Sequence, residues 1–95
     1  MFKITEDYMR AYYNALEYIY KNYGMEKQKQ QLVQELSELI VAITKNDIQN
    51  IIEEMADVQV MLDQFMIANP IWDKEIERIK FQKVKRQLER IQKNR

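Results

Sequence analysis

Apolar residues recur at steps of three and four along the middle of the chain, and polar residues fill most positions between them. One stripe consists of Leu32, Leu36, Leu39 and Ile43, and the next consists of Ile51, Met55, Val58, Leu62 and Phe65. This spacing is typical of the seam between packed helices. The pattern therefore predicts two amphipathic helices whose apolar stripes face each other.

The few helix-breaking residues divide the chain into four predicted helices. One glycine and one proline leave too few turn residues for a chain of many short strands. Gly24 is a natural helix-ending residue, and Asn46 with Gln49 resembles a capping pair. Asn69-Pro70 resembles an N-cap followed by proline at the first helical position. The predicted helices span about residues 5–23, 25–45, 48–68 and 71–93.

The short breaks between these helices predict how the helices pack. Loops of two or three residues make successive helices antiparallel neighbours, so the second and third helices should form a hairpin. We therefore expect one all-α domain over residues 1–95, a four-helix, bundle-like chain around this central antiparallel hairpin.

A second copy is expected to complete the bundle. A chain this short buries only about 60–65% of its unfolded surface, and its first helix carries six tyrosines, more than one small bundle can enclose. These are Tyr8, Tyr12, Tyr13, Tyr18, Tyr20 and Tyr23. We expect a homodimer or homotetramer that buries some of them.

The formal net charge of zero conceals two oppositely charged stretches. The first 77 residues hold seven basic and 14 acidic side chains, whereas residues 78–95 hold eight basic residues and one acidic residue. A basic tail could follow a nucleic-acid backbone, but the acidic remainder of the chain would repel a polyanion. Nucleic acid is therefore the less favoured partner.

The residue types that are missing exclude several kinds of chemistry. Without cysteine or histidine there is no thiolate zinc site, no imidazole base and no Ser-His-Asp triad. A bound metal would have oxygen ligands, which favours Mg²⁺, Mn²⁺ or Ca²⁺. The sequence shows neither a membrane-spanning apolar run nor a signal-peptide core, so we expect a soluble, cytoplasmic protein.

Two acidic pairs are the strongest candidates for function. Glu35 and Glu38 lie three residues apart beside the first stripe, and Glu54 and Asp57 lie three apart beside the second. A three-residue step turns about 300° around a helix, so each pair shares a face. On antiparallel helices the four carboxylates can converge, and a divalent cation would relieve their repulsion. Their alternative role is that of solvated flank residues, which are common on surface helices.

Around these pairs the sequence resembles the MazG-like nucleotide pyrophosphohydrolases of the all-α NTP pyrophosphatase superfamily. That family's pattern is Glu-Glu-x-x-Glu, a spacer, and then Glu-x-x-Asp. Residues 34–40 (QELSELI) and 53–58 (EEMADV) resemble its two motifs, with 15 residues between Glu38 and Glu54. Residues 83–91 are similar to the basic closing helix of short, phage-type members, and the resemblance covers about residues 25–91.

The resemblance implies an enzyme that cleaves nucleoside triphosphates between the α and β phosphates, giving a monophosphate and pyrophosphate. It implies Mg²⁺ as cofactor, and the oxygen-only ligand chemistry also allows Mn²⁺. The implied metal ligands are Glu35, Glu38, Glu54 and Asp57, and the implied phosphate-binding residues are Lys83, Arg86 and Lys45. Either Glu35 or Glu38 would orient or deprotonate the attacking water, and the sequence does not choose between them.

One position departs from the family pattern. Gln34 stands where the family usually has the first glutamate of its acidic motif, which removes one negative charge beside the implied site. The alternative function is a catalytically weak or inactive helical adaptor or regulator that keeps the family fold. The preferred base and sugar, and the number of metal ions, stay open at this point.

Overall fold

The computed structural model describes residues 6–94, with side chains from residue 7, and this part of the chain forms four α-helices. They are α1 (Glu6–Tyr23), α2 (Met25–Thr44), α3 (Ile48–Ala68) and α4 (Pro70–Lys93). The predicted all-α class and the four predicted helices are confirmed. The expected start of the first helix at residue 5 lies outside the described residues.

The break between α1 and α2 consists of Gly24 alone. Its backbone φ of 87° lies in a region that suits glycine, because a side chain there would be strained. The amide of Gly24 donates to the carbonyl of Tyr20 at 2.8 Å, and its own carbonyl accepts from Gln28 at 3.1 Å. One residue therefore ends α1 and begins α2.

The turn between α2 and α3 differs from the predicted capping pair. Asp47, not Asn46, is the N-cap of α3, and its carboxylate accepts from the backbone amide of Asn50 at 3.3 Å and from that residue's side chain at 2.9 Å. Asn46 instead has a φ of 55°, a left-handed conformation that asparagine tolerates better than most residues. The capping prediction with Gln49 was therefore wrong by one residue.

At the next break, Asn69 precedes α4 and Pro70 is its first residue, as the sequence indicated. The side-chain amide of Asn69 points back to α3, where it donates to the carbonyl of Phe65 at 2.9 Å. This asparagine therefore caps the end of α3 with its side chain and introduces α4 with its backbone, whose carbonyl accepts from Trp72 at 2.9 Å.

Helices α2 and α3 form the closest-packed pair, and α1 lies against both. The rings of Tyr20 and Phe65 pack nearly perpendicular to each other at a centroid distance of 5.5 Å, and the hydroxyl of Tyr12 donates to Asp63 at 2.9 Å. The buried apolar core consists of Leu16, Ala42, Val58, Met61 and Phe65. The predicted hairpin is thus confirmed, with α1 covering one side of it.

The predicted stripes are only partly enclosed. Val58 and Phe65 are buried, but several stripe residues stay largely exposed. These are Leu36, Ile43, Met55 and Leu62. Within the described chain the backbone of α4 comes close to that of α3 alone, and its first half lines a cavity of about 650 Å³ together with Lys29 and Leu32 of α2. The radius of gyration of 16.6 Å accordingly exceeds the value of about 12 Å for a compact chain of this length.

Candidate metal and phosphate site

Three glutamates from the hairpin bring their carboxylates together. Glu35 and Glu38 lie one turn apart on α2, and Glu54 faces them from α3. Each offers one oxygen, and these three oxygens all lie within 4.8 Å of one another. We call this group the carboxylate cluster. The antiparallel hairpin creates it, because it sets a helical i, i+3 pair opposite an acidic residue of the neighbouring helix.

Two oxygens of the cluster are buried without a hydrogen-bond donor. Oε2 of Glu35 and Oε2 of Glu54 have no partner among the described residues. A buried carboxylate oxygen that lacks a donor is costly, so such atoms usually mark a missing water or ion. A divalent cation would satisfy both atoms and offset the negative charge around them. The donor set consists of oxygens only, which fits a hard cation such as Mg²⁺.

The pKa of Glu54 also reflects the uncompensated negative charge of the cluster. Burial raises the pKa of Glu54, and the charges of Glu38, Asp57 and Glu35 and a hydrogen bond with the carboxyl of Glu38 raise it further. Each cause disfavours the ionised form of the group. In the absence of a cation, the cluster therefore resists carrying its full negative charge.

Asp57, the fourth predicted ligand, is exposed and lies one turn beyond Glu54 on α3. Its charge acts on Glu54, which places it in the same electrostatic environment. Its carboxylate is not among the three that lie within 4.8 Å of one another. The structure therefore gathers three of the four predicted ligands and leaves Asp57 at the edge of the group.

Glutamine amides hold one oxygen of each α2 glutamate. Nε2 of Gln31 donates to Oε1 of Glu35 at 2.7 Å, and Nε2 of Gln34 donates to Oε1 of Glu38 at 3.4 Å. Sequence reasoning missed Gln31, although its position four residues before Glu35 is the spacing of a helical side-chain pair. Gln34, which departs from the family pattern, is therefore a hydrogen-bond donor to the cluster.

An open cleft of about 380 Å³ borders the cluster. Glu38 and Glu54 line it, and Lys45 brings a positive charge to the same cleft from the end of α2. Ser37 and Asn50 also line the cleft, but the hydroxyl of Ser37 already donates to a backbone carbonyl of α2 at 2.9 Å. The predicted lysine and two predicted ligands thus meet in one place.

Lys83 and Arg86 lie elsewhere. They line a separate concavity whose other lining residues, Gln87 and Arg90, also belong to α4. Since the backbone of α4 comes close to that of α3 alone over the described residues, the structure does not bring these two cations to the carboxylate cluster of the same chain.

The family assignment follows from the sequence of this region. The sequence model of the MazG nucleotide pyrophosphohydrolase domain matches residues 24–93, which include α2, α3, the carboxylate cluster and α4. The chain therefore belongs to this family, and the resemblance of its motifs is confirmed. No curated protein and no solved structure matches the chain. Within the described residues, no helix combines the length and the apolar character that crossing a membrane requires.

Proposed function

We propose that the chain is a Mg²⁺-dependent pyrophosphohydrolase that cleaves a (d)NTP between the α and β phosphates, giving (d)NMP and pyrophosphate. The observation that carries the proposal is the convergence of three glutamate carboxylates, two of which each have an oxygen that is buried without a hydrogen-bond donor. A nucleotide with its metal needs both such a cluster and nearby cations. The proposed enzyme acts as one domain over residues 1–95 in the cytoplasm, where nucleotide pools lie.

The proposed ligands of the metal are Glu35, Glu38, Glu54 and Asp57. When bound, a divalent cation would neutralise phosphate oxygens and increase the acidity of a coordinated water. Mn²⁺ could replace Mg²⁺, since both accept oxygen ligands. Asp57 lies at the edge of the cluster, so its carboxylate would turn toward the cation only once the cation is bound by the other three.

The chain's own residues would handle the water and the phosphates. Glu38 is exposed and lines the cleft, so we assign it to orient the water and accept its proton. Glu35 suits this role less, because one of its oxygens is held by Gln31 and the other is buried. The water oxygen forms a bond to the α phosphorus while the bond between that phosphorus and the oxygen bridging to the β phosphate breaks. Pyrophosphate leaves with the electron pair of the broken bond. Lys45 would bind the phosphates from within the cleft.

The test is an assay of pyrophosphate and monophosphate release from a panel of canonical and modified (d)NTPs with Mg²⁺. We expect release from at least one substrate, and loss of release in Glu54→Gln. Glu53→Gln is the matched control, because Glu53 is exposed and is not part of the cluster. A folded protein that releases pyrophosphate from no substrate would favour the regulator alternative, for which Gln34 is the motivating departure from the family pattern.

A further inference from the structure

A cavity of about 340 Å³ lies between α1, α2 and α3, toward the start of α2. We call it the glutamine pocket, because three glutamine side chains line it. Its volume falls in the range of about 300–1,000 Å³ that is usual for small-molecule sites, and its lining combines apolar and aromatic side chains with a few polar groups. The lining includes Ile19 and Tyr23 of α1, Gln28 and Gln31 of α2, and Met61 and Gln64 of α3.

Gln31 connects the glutamine pocket to the carboxylate cluster. It lines the pocket, and its Nε2 donates to Oε1 of Glu35 at 2.7 Å. A molecule in the pocket is therefore separated from the proposed metal ligands by one side chain. The cleft that contains Lys45 borders the same cluster from the other end of α2.

One face of α2 presents these groups in a fixed order. Gln28, Gln31, Glu35 and Glu38 follow one another in steps of three, four and three, and Lys45 comes seven residues after Glu38. Steps of this size keep side chains on one side of a helix, and seven residues rise about 10 Å along its axis. Amides, carboxylates and a cation therefore succeed one another along the helix.

The proposed reaction needs groups in the same order. Cleavage between the α and β phosphates leaves the nucleoside on one side of the α phosphorus and the pyrophosphate on the other. With the metal at the carboxylate cluster, Lys45 suits the β and γ phosphates, and the glutamine pocket is left for the nucleoside. The exposed Lys27 is the one charged residue among the described residues that line this pocket, and its Nζ lies 5.7 Å from the centre of the Tyr23 ring.

Hydrogen bonds between the glutamines fix what the pocket offers to a ligand. Gln28 and Gln64 are 5% and 2% exposed, and Nε2 of Gln28 donates to Oε1 of Gln64 at 2.7 Å. Nε2 of Gln64 in turn lies 3.7 Å from Sδ of Met61. Among the described residues, no donor is hydrogen-bonded to Oε1 of Gln28 or to Oε1 of Gln31. The pocket therefore offers two amide oxygens that need donors from a ligand.

We infer that the glutamine pocket binds the nucleoside of the substrate and selects a base that carries an exocyclic amino group where its counterpart has a carbonyl, namely cytosine over uracil and adenine over hypoxanthine. Gln31, beside the cluster, accepts from a sugar hydroxyl, and Gln28, one turn farther away, accepts from the amino group. A base carbonyl would instead meet the carbonyl oxygen of Gln28. The inference rests on the proposed function, which it deepens by naming the substrate class.

The first test compares substrates that differ in this one group. dCTP is compared with dUTP, and dATP with dITP, by pyrophosphate release with Mg²⁺. In the pair that is cleaved faster, we expect kcat/KM of the amino member to exceed that of the carbonyl member by about 10- to 100-fold, because a buried acceptor that loses its donor is costly. Equal values, or a preference for the carbonyl member, would overturn the inference.

A double variant tests whether the glutamines cause the preference. Gln28→Met with Gln64→Met replaces both hydrogen-bonding partners by apolar groups of similar size, a change that folds tolerate better than the loss of one partner. We expect the ratio of the two kcat/KM values to fall toward one while Mn²⁺ affinity stays unchanged. A purely structural role would lower the melting temperature and leave the ratio as it is, which would overturn the inference.

Two single variants serve as comparisons. Gln30→Met should keep the wild-type ratio, because Gln30 is exposed and does not line the pocket. Lys45→Ala should lower kcat/KM of both members by the same factor, since both carry the same triphosphate. A change of the ratio in Lys45→Ala as large as that in the double variant would overturn the assignment of the base to the glutamine pocket.

Binding of substrate analogues separates the inference from the proposed function. Titration calorimetry with Mg²⁺ uses analogues of the same pair in which a methylene group replaces the oxygen between the α and β phosphates. An inactive protein that binds the amino analogue at least about 10-fold more tightly, and loses this preference in the double variant, would support the inference while the proposed function fails. An active enzyme that binds both analogues equally would overturn the inference while the proposed function stands.

Discussion

The side-chain amide of Gln31 donates a 2.7 Å hydrogen bond to Oε1 of Glu35, while Oε2 of the same carboxylate is buried without a donor. The amide thereby fixes the orientation of the carboxylate and leaves its second oxygen free for a cation. A residue that acts on a metal through a ligand typically changes metal affinity by about 10- to 100-fold when it is replaced. Gln31 is thus a positioning residue for the proposed metal site.

Gln31→Leu should therefore weaken binding of Mn²⁺ by about 10-fold, because the side chain of Glu35 loses the donor that orients it. Titration calorimetry with Mn²⁺ measures this in the absence of nucleotide. Gln30→Leu is the matched control, since Gln30 is an exposed neighbour that makes no side-chain hydrogen bond among the described residues. Equal affinities in both variants would mean that Gln31 does not act on the metal.

The raised pKa of Glu54 predicts how the stability of the metal-free protein depends on pH. Its pKa lies above the ordinary value of 4.5 because of burial and the charges of Glu38 and Asp57. Folding therefore favours the protonated form of Glu54. The contribution of this group to the stability of the fold is fully present below pH 4.5. That contribution is lost as the pH rises from 4.5 through the raised folded-state pKa, since the group then ionises at a cost to the folded state.

Melting temperatures measured in EDTA at a series of pH values test this dependence. We expect Glu54→Gln to gain stability relative to the wild type as the pH rises through this window, because glutamine does not ionise. Adding Mg²⁺ should remove most of the difference by stabilising the ionised cluster of the wild type. Glu53→Gln should follow the wild-type curve. A constant difference between wild type and Glu54→Gln across the window would contradict the assigned pKa shift.

Tyr12 joins α1 to α3 through its 2.9 Å hydrogen bond to Asp63. Burial and this hydrogen bond raise the pKa of Tyr12 to about 12, so its proton is held through the physiological range. Tyr12→Phe should lower the free energy of unfolding by about 0.5–1.5 kcal/mol, the usual net value of one hydrogen bond. Urea denaturation measures the change, and Tyr18→Phe, at a side chain that is 73% exposed, should have almost no effect.

A spectroscopic titration gives an independent view of the same bond. The raised pKa means that Tyr12 ionises after an ordinary tyrosine, and its stabilising contribution is lost as the pH rises through about 12. Absorbance near the tyrosinate band should show a late-ionising component in the wild type that is absent from Tyr12→Phe. If the two titration curves coincide, the hydroxyl of Tyr12 does not hold Asp63 in solution.

The sequence predicted the parts of the fold that depend on local pattern. Steps of three and four located α2 and α3, and Gly24 and Pro70 marked breaks because their backbone preferences are strong. The pattern misplaced the cap of α3, since Asn46 and Asp47 are adjacent and chemically similar, and only the backbone conformation shows which residue adopts the capping geometry. A pattern also could not show which residues of each stripe stay exposed, because that depends on how the helices pack in three dimensions.

The candidate site also has parts that a local pattern predicts and parts that it does not. The positions of Glu35, Glu38 and Glu54 follow from helical spacing and an antiparallel hairpin, so the pattern could bring them together. The separation of Lys83 from the cluster depends on the path of α4 relative to the hairpin, which no local pattern encodes. The motif resemblance names residues that serve one site, but it does not say whether one chain supplies all of them.

Comparison of Glu38→Gln with Asp57→Asn tests whether a carboxylate at the edge of the cluster is as necessary as one inside it. Both residues carry charge that acts on Glu54, but only Glu38 belongs to the group within 4.8 Å. If both bind the metal, each substitution should lower kcat/KM by at least about 10²-fold, the scale for losing one preorganised electrostatic contact. Mn²⁺ affinity should fall in both variants, while circular dichroism shows unchanged helices.

The two variants should differ in one respect that identifies the water-activating residue. Glu38→Gln also removes the proposed proton acceptor, so raising the metal concentration should not restore its rate. Asp57→Asn removes only a ligand, so saturating Mn²⁺ should recover part of its activity. Steady-state rates measured over a range of Mn²⁺ concentrations make the comparison, and Glu53→Gln provides the baseline. Full activity of Asp57→Asn at low metal would remove Asp57 from the proposed ligand set, and recovery of Glu38→Gln at high metal would assign the water to another residue.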